Sequence, residues 1–144
     1  MLEKILVPID GSEAAWHALE YACRLGEKFN SEITIVHVVQ PHYTLPVLAI
    51  HEGIPFVSVN IEEVETTGYQ LIEFAKSQVK DYPTVETLLE FGHPAEQVLA
   101  LAKTGNYNLI VIGSRGLSAI SEFFLGSVSS KVSQYSTIPV MIVK

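Results

Sequence analysis

Apolar runs rich in Val and Ile alternate with segments of helical period along the whole chain. "KILVPI" (4–9), "ITIVHVV" (33–39), "TVETLLE" (84–90), "LIVI" (109–112) and "PVMIV" (139–143) read as β-strands. Near-continuous apolarity in the first, fourth and fifth implies burial on both faces, as in a parallel sheet, whereas the third alternates and suits an edge. Between the strands, residues 13–29 place Trp16, Leu19, Ala22, Cys23, Gly26 and Phe29 on one stripe behind Ser12, a good N-cap. Residues 61–80 follow Asn60, with Glu63 three positions on, a start resembling a capping box. Residues 94–104 open on Pro94 and stop before Gly105, and residues 127–136 end ahead of Pro139.

Strands that alternate with helices through right-handed crossovers make a doubly wound α/β fold, one five-stranded parallel sheet flanked by four helices. No repeat, low-complexity segment or linker interrupts it, so residues 1–144 are expected to be one domain. Residues 40–60, "QPHYTLPVLAIHEGIPFVSVN", depart from the pattern because their prolines and glycine break any long element. Apolar side chains such as Leu45, Leu48, Ile50 and Phe56 suit a flap that packs on something.

Composition narrows the function classes. A chain of 144 residues buries roughly two thirds of its unfolded surface, enough for one core. Mean hydropathy is +0.29, yet no apolar run approaches the ~20 residues that span a bilayer. The start, "MLEKILVPIDGSE", has too short an apolar stretch for a signal peptide, so a cytoplasmic location away from membranes is expected. Cys23 is alone, which rules out an internal disulfide or a CxxC site. A net charge of −7 with nine Lys and Arg repels polynucleotides, so no nucleic-acid partner is expected.

The candidate chemistry lies at two strand ends. Ligands of open parallel sheets bind beyond the carboxyl ends of the strands, where the winding reverses. The first strand ends in "PIDGSE" and the fourth runs into "GSRGLSAISEFFLGS" (113–127). If these strands are neighbours, Asp10 and the glycine loop face one cleft. Gly113 and Gly116 permit either left-handed dihedrals or close backbone approach, so that successive N–H groups converge on an anion. Gly126 and Ser127 open the last helix, whose first N–H groups lack internal partners. Ser114, Ser127 and Ser129 add hydroxyls and Arg115 a cation. Hydrogen bonds to charged groups contribute about 1.5–3 kcal/mol each, whereas exposed charges beyond ~8 Å are screened, so local amides outweigh the negative field. Asp10 is an acceptor suited to ribose hydroxyls or an exocyclic amine. The pattern GxxxxGK[ST] is absent, and Mg²⁺ held mainly by phosphate and water is expected to assist.

Plainer roles compete at each position. The glycines could serve an ordinary strand-to-helix connection, Asp10 a turn, and Arg115 solvent. His17 and His37 suit packing or capping, His93 the turn beside Pro94, and His42, His51 and Glu52 the surface. Phe123, Phe124 and Leu125 suit a hydrophobic plug.

With these residues in place, the chain resembles the universal stress protein family. The pattern G-x2-G-x9-G-[S/T] of its ATP-binding branch is present as Gly113, Gly116, Gly126 and Ser127. "ILVPIDGSE", "IVHVV", "FGHPAEQV", "LIVIGSRG", "LGSVSSKV" and "IPVMIVK" resemble the family's blocks in order, across essentially the whole chain. The resemblance implies strand order 3-2-1-4-5 and binding of ATP or another adenine nucleotide, with Asp10 at the ribose and adenine end. It also implies that Pro8, Ile9 and the main chain of Val38 border the base. Ribose and phosphates would then be held by Gly113, Ser114, Arg115, Gly116, Leu117, Ser118 and Ala119, together with Gly126, Ser127, Val128 and Ser129. The fifth strand, as an exposed edge, suits pairing with a second copy, and the resemblance likewise implies a homodimer through 139–143.

The leading expectation is thus a nucleotide-dependent regulatory or stress-response module acting on an unknown protein partner. The alternatives are a slow Mg²⁺-dependent ATP hydrolase and a nucleotide-free homodimeric interaction module. Valine at Gly113 or Gly126 is expected to remove ATP binding and leave the fold intact.

Overall fold

The computed structural model describes residues 1–40, 61–117 and 124–144. In chain order the elements are β1 (Lys4–Pro8), α1 (Glu13–Phe29), β2 (Glu32–Val39), α2 (Ile61–Gln78), β3 (Val85–Phe91), α3 (Pro94–Thr104), β4 (Leu109–Gly113), α4 (Ser127–Tyr135) and β5 (Val140–Val143). The strands form one five-stranded sheet in the order β3-β2-β1-β4-β5, parallel at every pair. This is the expected doubly wound fold, with β3 at an edge.

Each face of the sheet buries one helix pair. Ile5, Val7, Ile33, Ile35 and Val111 meet α1 and α2 through Ala15, Ala18, Leu19, Ala22, Ile72 and Ala75. Leu6, Val36, Ile110 and Ile112 meet α3 and α4 through Ala95, Val98, Ala102 and Val132. Ile5, Leu6, Ile33, Ile35 and Ile110 are wholly buried, and each such side chain contributes about 1.5–3 kcal/mol relative to an exposed one. Two-sided burial explains why the strands read as unbroken apolar runs.

The element ends differ from the sequence pattern for identifiable reasons. β1 stops at Pro8 rather than Ile9: the Ile9 N–H still bonds the Val36 carbonyl at 2.8 Å, but the Ile9 carbonyl turns to the His37 ring. β5 starts at Val140 because Pro139 has no N–H to give, although its carbonyl accepts from Ile110 at 3.0 Å. α2 ends at Gln78, where Val79 N–H reaches back to Lys76 in a tighter turn. On α1 the buried stripe is rotated from the expected one: Ala15 and Ala18 belong to it, Trp16 and Cys23 are only partly buried, and Phe29 is 53% exposed. Asn60 and residues 41–60, with the expected flap, lie outside the described residues. No helix among the described residues is long and apolar enough to cross a membrane.

Cys23 packs on the α1–α2 side of the core. Burial, with a smaller push from Glu27, raises its thiol to about 11. Thiolate is the reactive form, so alkylation of the native protein at pH 8 should run at least tenfold slower than that of the urea-unfolded chain, the shift itself lowering the thiolate fraction about a hundredfold. The raised value also sets a sign: Cys23's contribution to stability is complete below its ordinary value of 9.0 and is lost as pH rises through about 11. Equal alkylation rates for folded and unfolded protein would contradict the packing.

Candidate functional site

β1 and β4 are neighbours at the centre of the sheet. Chain connections leave this pair in opposite directions, so the segments after Pro8 and Gly113 flank the point where the winding reverses. The turn after β1 is tightly specified. The Asp10 carboxylate accepts the Ser12 N–H through Oδ1 at 2.9 Å, and Gly11 between them has φ +86°, a conformation that strains any other residue. Ser12 then caps α1, its hydroxyl accepting the Ala15 N–H at 3.2 Å and donating to the Arg115 carbonyl at 3.3 Å. One buried hydroxyl thereby joins the turn after β1, the start of α1 and the loop after β4.

The loop after β4 is pinned at its neck. Ser114 N–H bonds the Val143 carbonyl at 2.7 Å, and the Ser114 carbonyl accepts both Gly126 N–H at 2.7 Å and the Ser129 hydroxyl at 2.9 Å. Ser129 also donates to the Gly126 carbonyl, at 3.1 Å, so its proton is committed inside the junction. α4 starts at Ser127 behind Gly126, which offers no side chain to its first amides. Among the described residues the buried Ser114 hydroxyl has no hydrogen-bond partner, a condition that costs about 1–3 kcal/mol unless something supplies one.

The two segments meet at Gly116. A Cβ added there would lie 2.8 Å from Asp10 Oδ2, so the second carboxylate oxygen lies against the glycine loop. Gly113 is different. A Cβ on it would stand 2.7 Å from the carbonyl carbon of Ala14 and 2.8 Å from the Ala15 nitrogen, so glycine is required there for α1 to pack on β4. Of the two explanations open from sequence, close approach holds: the positive-φ glycines among the described residues are Gly11 and Gly92. Valine at Gly113 would therefore strike backbone, and its first effect falls on the fold. Gly126 is roomier, with its nearest neighbour, Arg115 Cα, at 3.3 Å.

The remaining expected residues are placed as follows. Ile9 and Val38 are buried, 4% and 8% exposed, near the ends of β1 and β2, with Pro8 partly buried beside them. Val128 is partly buried and Ser127 exposed at the start of α4, while Leu117 is 76% exposed. Arg115 forms no ion pair among the described residues. With Ser12, His17 and Lys144 it borders an open cleft of about 370 Å³ between the loop and the start of α1. Ser118, Ala119 and Phe123 lie outside the described residues. Phe124 and Leu125, 75% and 45% exposed, plug nothing among those described. His17 caps a strand end through Nδ1 and the Lys144 carbonyl at 3.0 Å, and His93 precedes α3 without a side-chain cap bond. His42, His51 and Glu52 are outside the described residues, and among those described no cluster of three His, Cys, Asp or Glu gathers. Sequence reasoning missed the reach of Ser12 to Arg115 and of His37 to Ile9; the Asp-Gly dipeptide was the available signal for the strained turn.

A family model described as the universal stress protein family matches residues 1–144. Universal stress protein YxiE of Bacillus subtilis is 38% identical over 150 aligned positions that cover all of both chains. The solved structure of the protein MJ0577 of Methanocaldococcus jannaschii superposes with a TM-score of 0.82 at 26% identity, covering 100% of this chain and 96% of that one. A universal stress protein from Archaeoglobus fulgidus, solved in complex with dAMP, has a TM-score of 0.72 at 20% identity with both chains wholly covered. At that identity the likeness is one of fold.

Proposed function

From the premise that this chain belongs to the universal stress protein family, we propose that it binds an adenine nucleotide, with ATP the leading candidate, and acts as a nucleotide-dependent regulatory module. The observation that carries this reading is the meeting of Asp10 Oδ2 with Gly116 where the β1 and β4 segments converge. It sets an acceptor for sugar or base beside a segment whose amides suit phosphate. The uncapped start of α4 supplies further donors at the loop's neck. The Archaeoglobus relative's dAMP supports an adenine nucleotide as the class.

In this reading Asp10 takes the ribose or base, and Pro8, Ile9 and the Val38 main chain border the base. Ser114 to Ala119 and Gly126 to Ser129 hold ribose and phosphates, while Gly113 supports the loop from beneath. A bound Mg²⁺ would neutralise phosphate charge and take its ligands chiefly from phosphate and water, which asks for no cluster of protein ligands.

β5 has β4 as its sole strand partner among the described residues, leaving one edge open along a short apolar strand. Pairing with a second copy about a two-fold axis would satisfy it, and a homodimer through residues 139–143 is part of the proposal.

Calorimetric titration with ATP, ADP and AMP, each with and without Mg²⁺, tests the reading. One site per chain is expected, and at a hundred times Kd the ligand should add about 2.7 kcal/mol of stability. Failure of every adenine nucleotide to bind would overturn it and leave the interaction module. Multiple turnovers of ATP lost on Arg115→Ala would instead favour slow hydrolysis.

A further inference from the structure

We infer that His37 is a positioning residue that opens the edge of β2 to the purine base, an inference that rests on the nucleotide site proposed above. The β1–β2 ladder runs in register to Pro8 opposite Val36. Its last main-chain bond is Ile9 N–H to the Val36 carbonyl at 2.8 Å. Main-chain groups along a strand point alternately to its two neighbours, so Val38, two residues beyond Val36, directs its N–H and C=O to the β1 side as well. Continuation of the ladder would place the Ile9 carbonyl on the Val38 N–H. β1 has ended, however, and the Ile9 carbonyl accepts from His37 Nδ1 at 2.8 Å. A carbonyl only accepts, so Nδ1 carries the proton.

Two consequences meet at the site. The Ile9 carbonyl belongs to the same peptide unit as the Asp10 nitrogen, so the ring sets the plane from which the Asp10 carboxylate projects. The same bond engages the Ile9 carbonyl, and among the described residues no main-chain bond from the Val38 N–H to that carbonyl is formed, so the Val38 edge lacks its ladder acceptor. An N–H beside a C=O matches the adjacent ring-nitrogen acceptor and amino donor of adenine. Guanine presents the opposite order, a ring N–H donor beside a carbonyl acceptor. Mispairing polar groups is how a small site rejects a wrong ligand most strongly. His37 thus acts on base selectivity without touching the base. α2 passes beside the ring, where a Cβ on Gly68 would come 3.4 Å from His37 Cδ2.

The test is calorimetry with ATP and GTP on the unsubstituted protein, His37→Leu and His37→Asn. Leucine fills the space and donates nothing, and it should lower ATP affinity about tenfold, the worth of one well-placed hydrogen bond, while narrowing the ATP-over-GTP ratio. Asparagine carries an N–H at nearly the Nδ1 position and should restore both. A role confined to stability would lower the urea midpoint of His37→Leu and leave the ATP-over-GTP ratio untouched; that result overturns the inference. So does unchanged ATP affinity in His37→Leu when the unsubstituted protein binds. If neither protein binds any adenine nucleotide, the functional reading falls and takes this inference with it. Should the leucine variant fail to fold, long-range ¹H–¹⁵N spectra of the unsubstituted protein decide: a protonated Nδ1 supports the assignment, and a proton on Nε2 with bare Nδ1 overturns it.

Discussion

Gly113→Val is expected to cost the protein its fold before it costs it any ligand. Even a methyl group at this position would sit 2.7–2.9 Å from backbone atoms of Ala14 and Ala15, and backbone cannot swing aside as a side-chain tip can. Overpacking of this kind typically costs about 1–3 kcal/mol, and the two γ-carbons of valine push toward the upper end. For a domain of this size roughly 3 kcal/mol lowers Tm by about 10 °C, out of a total stability on the order of 5–15 kcal/mol. Thermal unfolding checks this directly, with Gly113→Ala expected to lose less. Gly126→Val is the cleaner probe of the ligand, because a Cβ there meets loop backbone at 3.3 Å, a contact that asks for a small shift rather than the clash at Gly113. A Gly113→Val protein with unchanged Tm would mean that α1 does not approach β4 as closely as described.

Asp10→Ala should weaken adenine-nucleotide binding about a hundredfold, since a carboxylate taking hydrogen bonds from a ligand contributes roughly 1.5–3 kcal/mol and its removal also loosens the turn that positions the rest. The fold should lose only about 1 kcal/mol, the worth of the Asp10–Ser12 bond, so a thermal scan without ligand separates the two effects. Asp10→Asn keeps an acceptor for the Ser12 N–H and isolates the oxygen that faces Gly116. Its affinity should lie between those of the other two proteins. Undiminished affinity in Asp10→Ala, measured by calorimetry, would remove the carboxylate from the site.

The sheet was legible in the sequence because burial on both faces leaves a strong mark: Ile5, Leu6 and Val7 are all buried and form a run that only a central parallel strand needs. Helix starts were legible where a side chain does the capping, as Ser12 does for α1. Strand ends were not, because they depend on contacts between distant residues. Whether Ile9 belongs to β1 is decided by a ring 28 positions away. The glycine loop illustrates the same limit. Sequence placed Gly113, Gly116 and Gly126 in one motif, but their neighbours differ: helix backbone for Gly113, a carboxylate for Gly116 and the loop's own neck for Gly126. A spacing pattern marks where side chains are excluded and is silent on what excludes them. Phe29 misled for a related reason, since it falls on the helical stripe of α1 but at its last residue, where it stands 53% exposed.

Trp16 lies one turn into α1, just beyond the cap supplied by Ser12, and its ring meets Phe74 of α2 edge-on, with centroids 5.2 Å apart. It is the chain's single tryptophan, so indole fluorescence from this protein has one source. Whatever alters that emission, whether heat, urea or a titrant, is being read at the seam between the first two helices, a few residues from the Asp10 turn. The chain carries its own optical gauge of that seam, with no label attached.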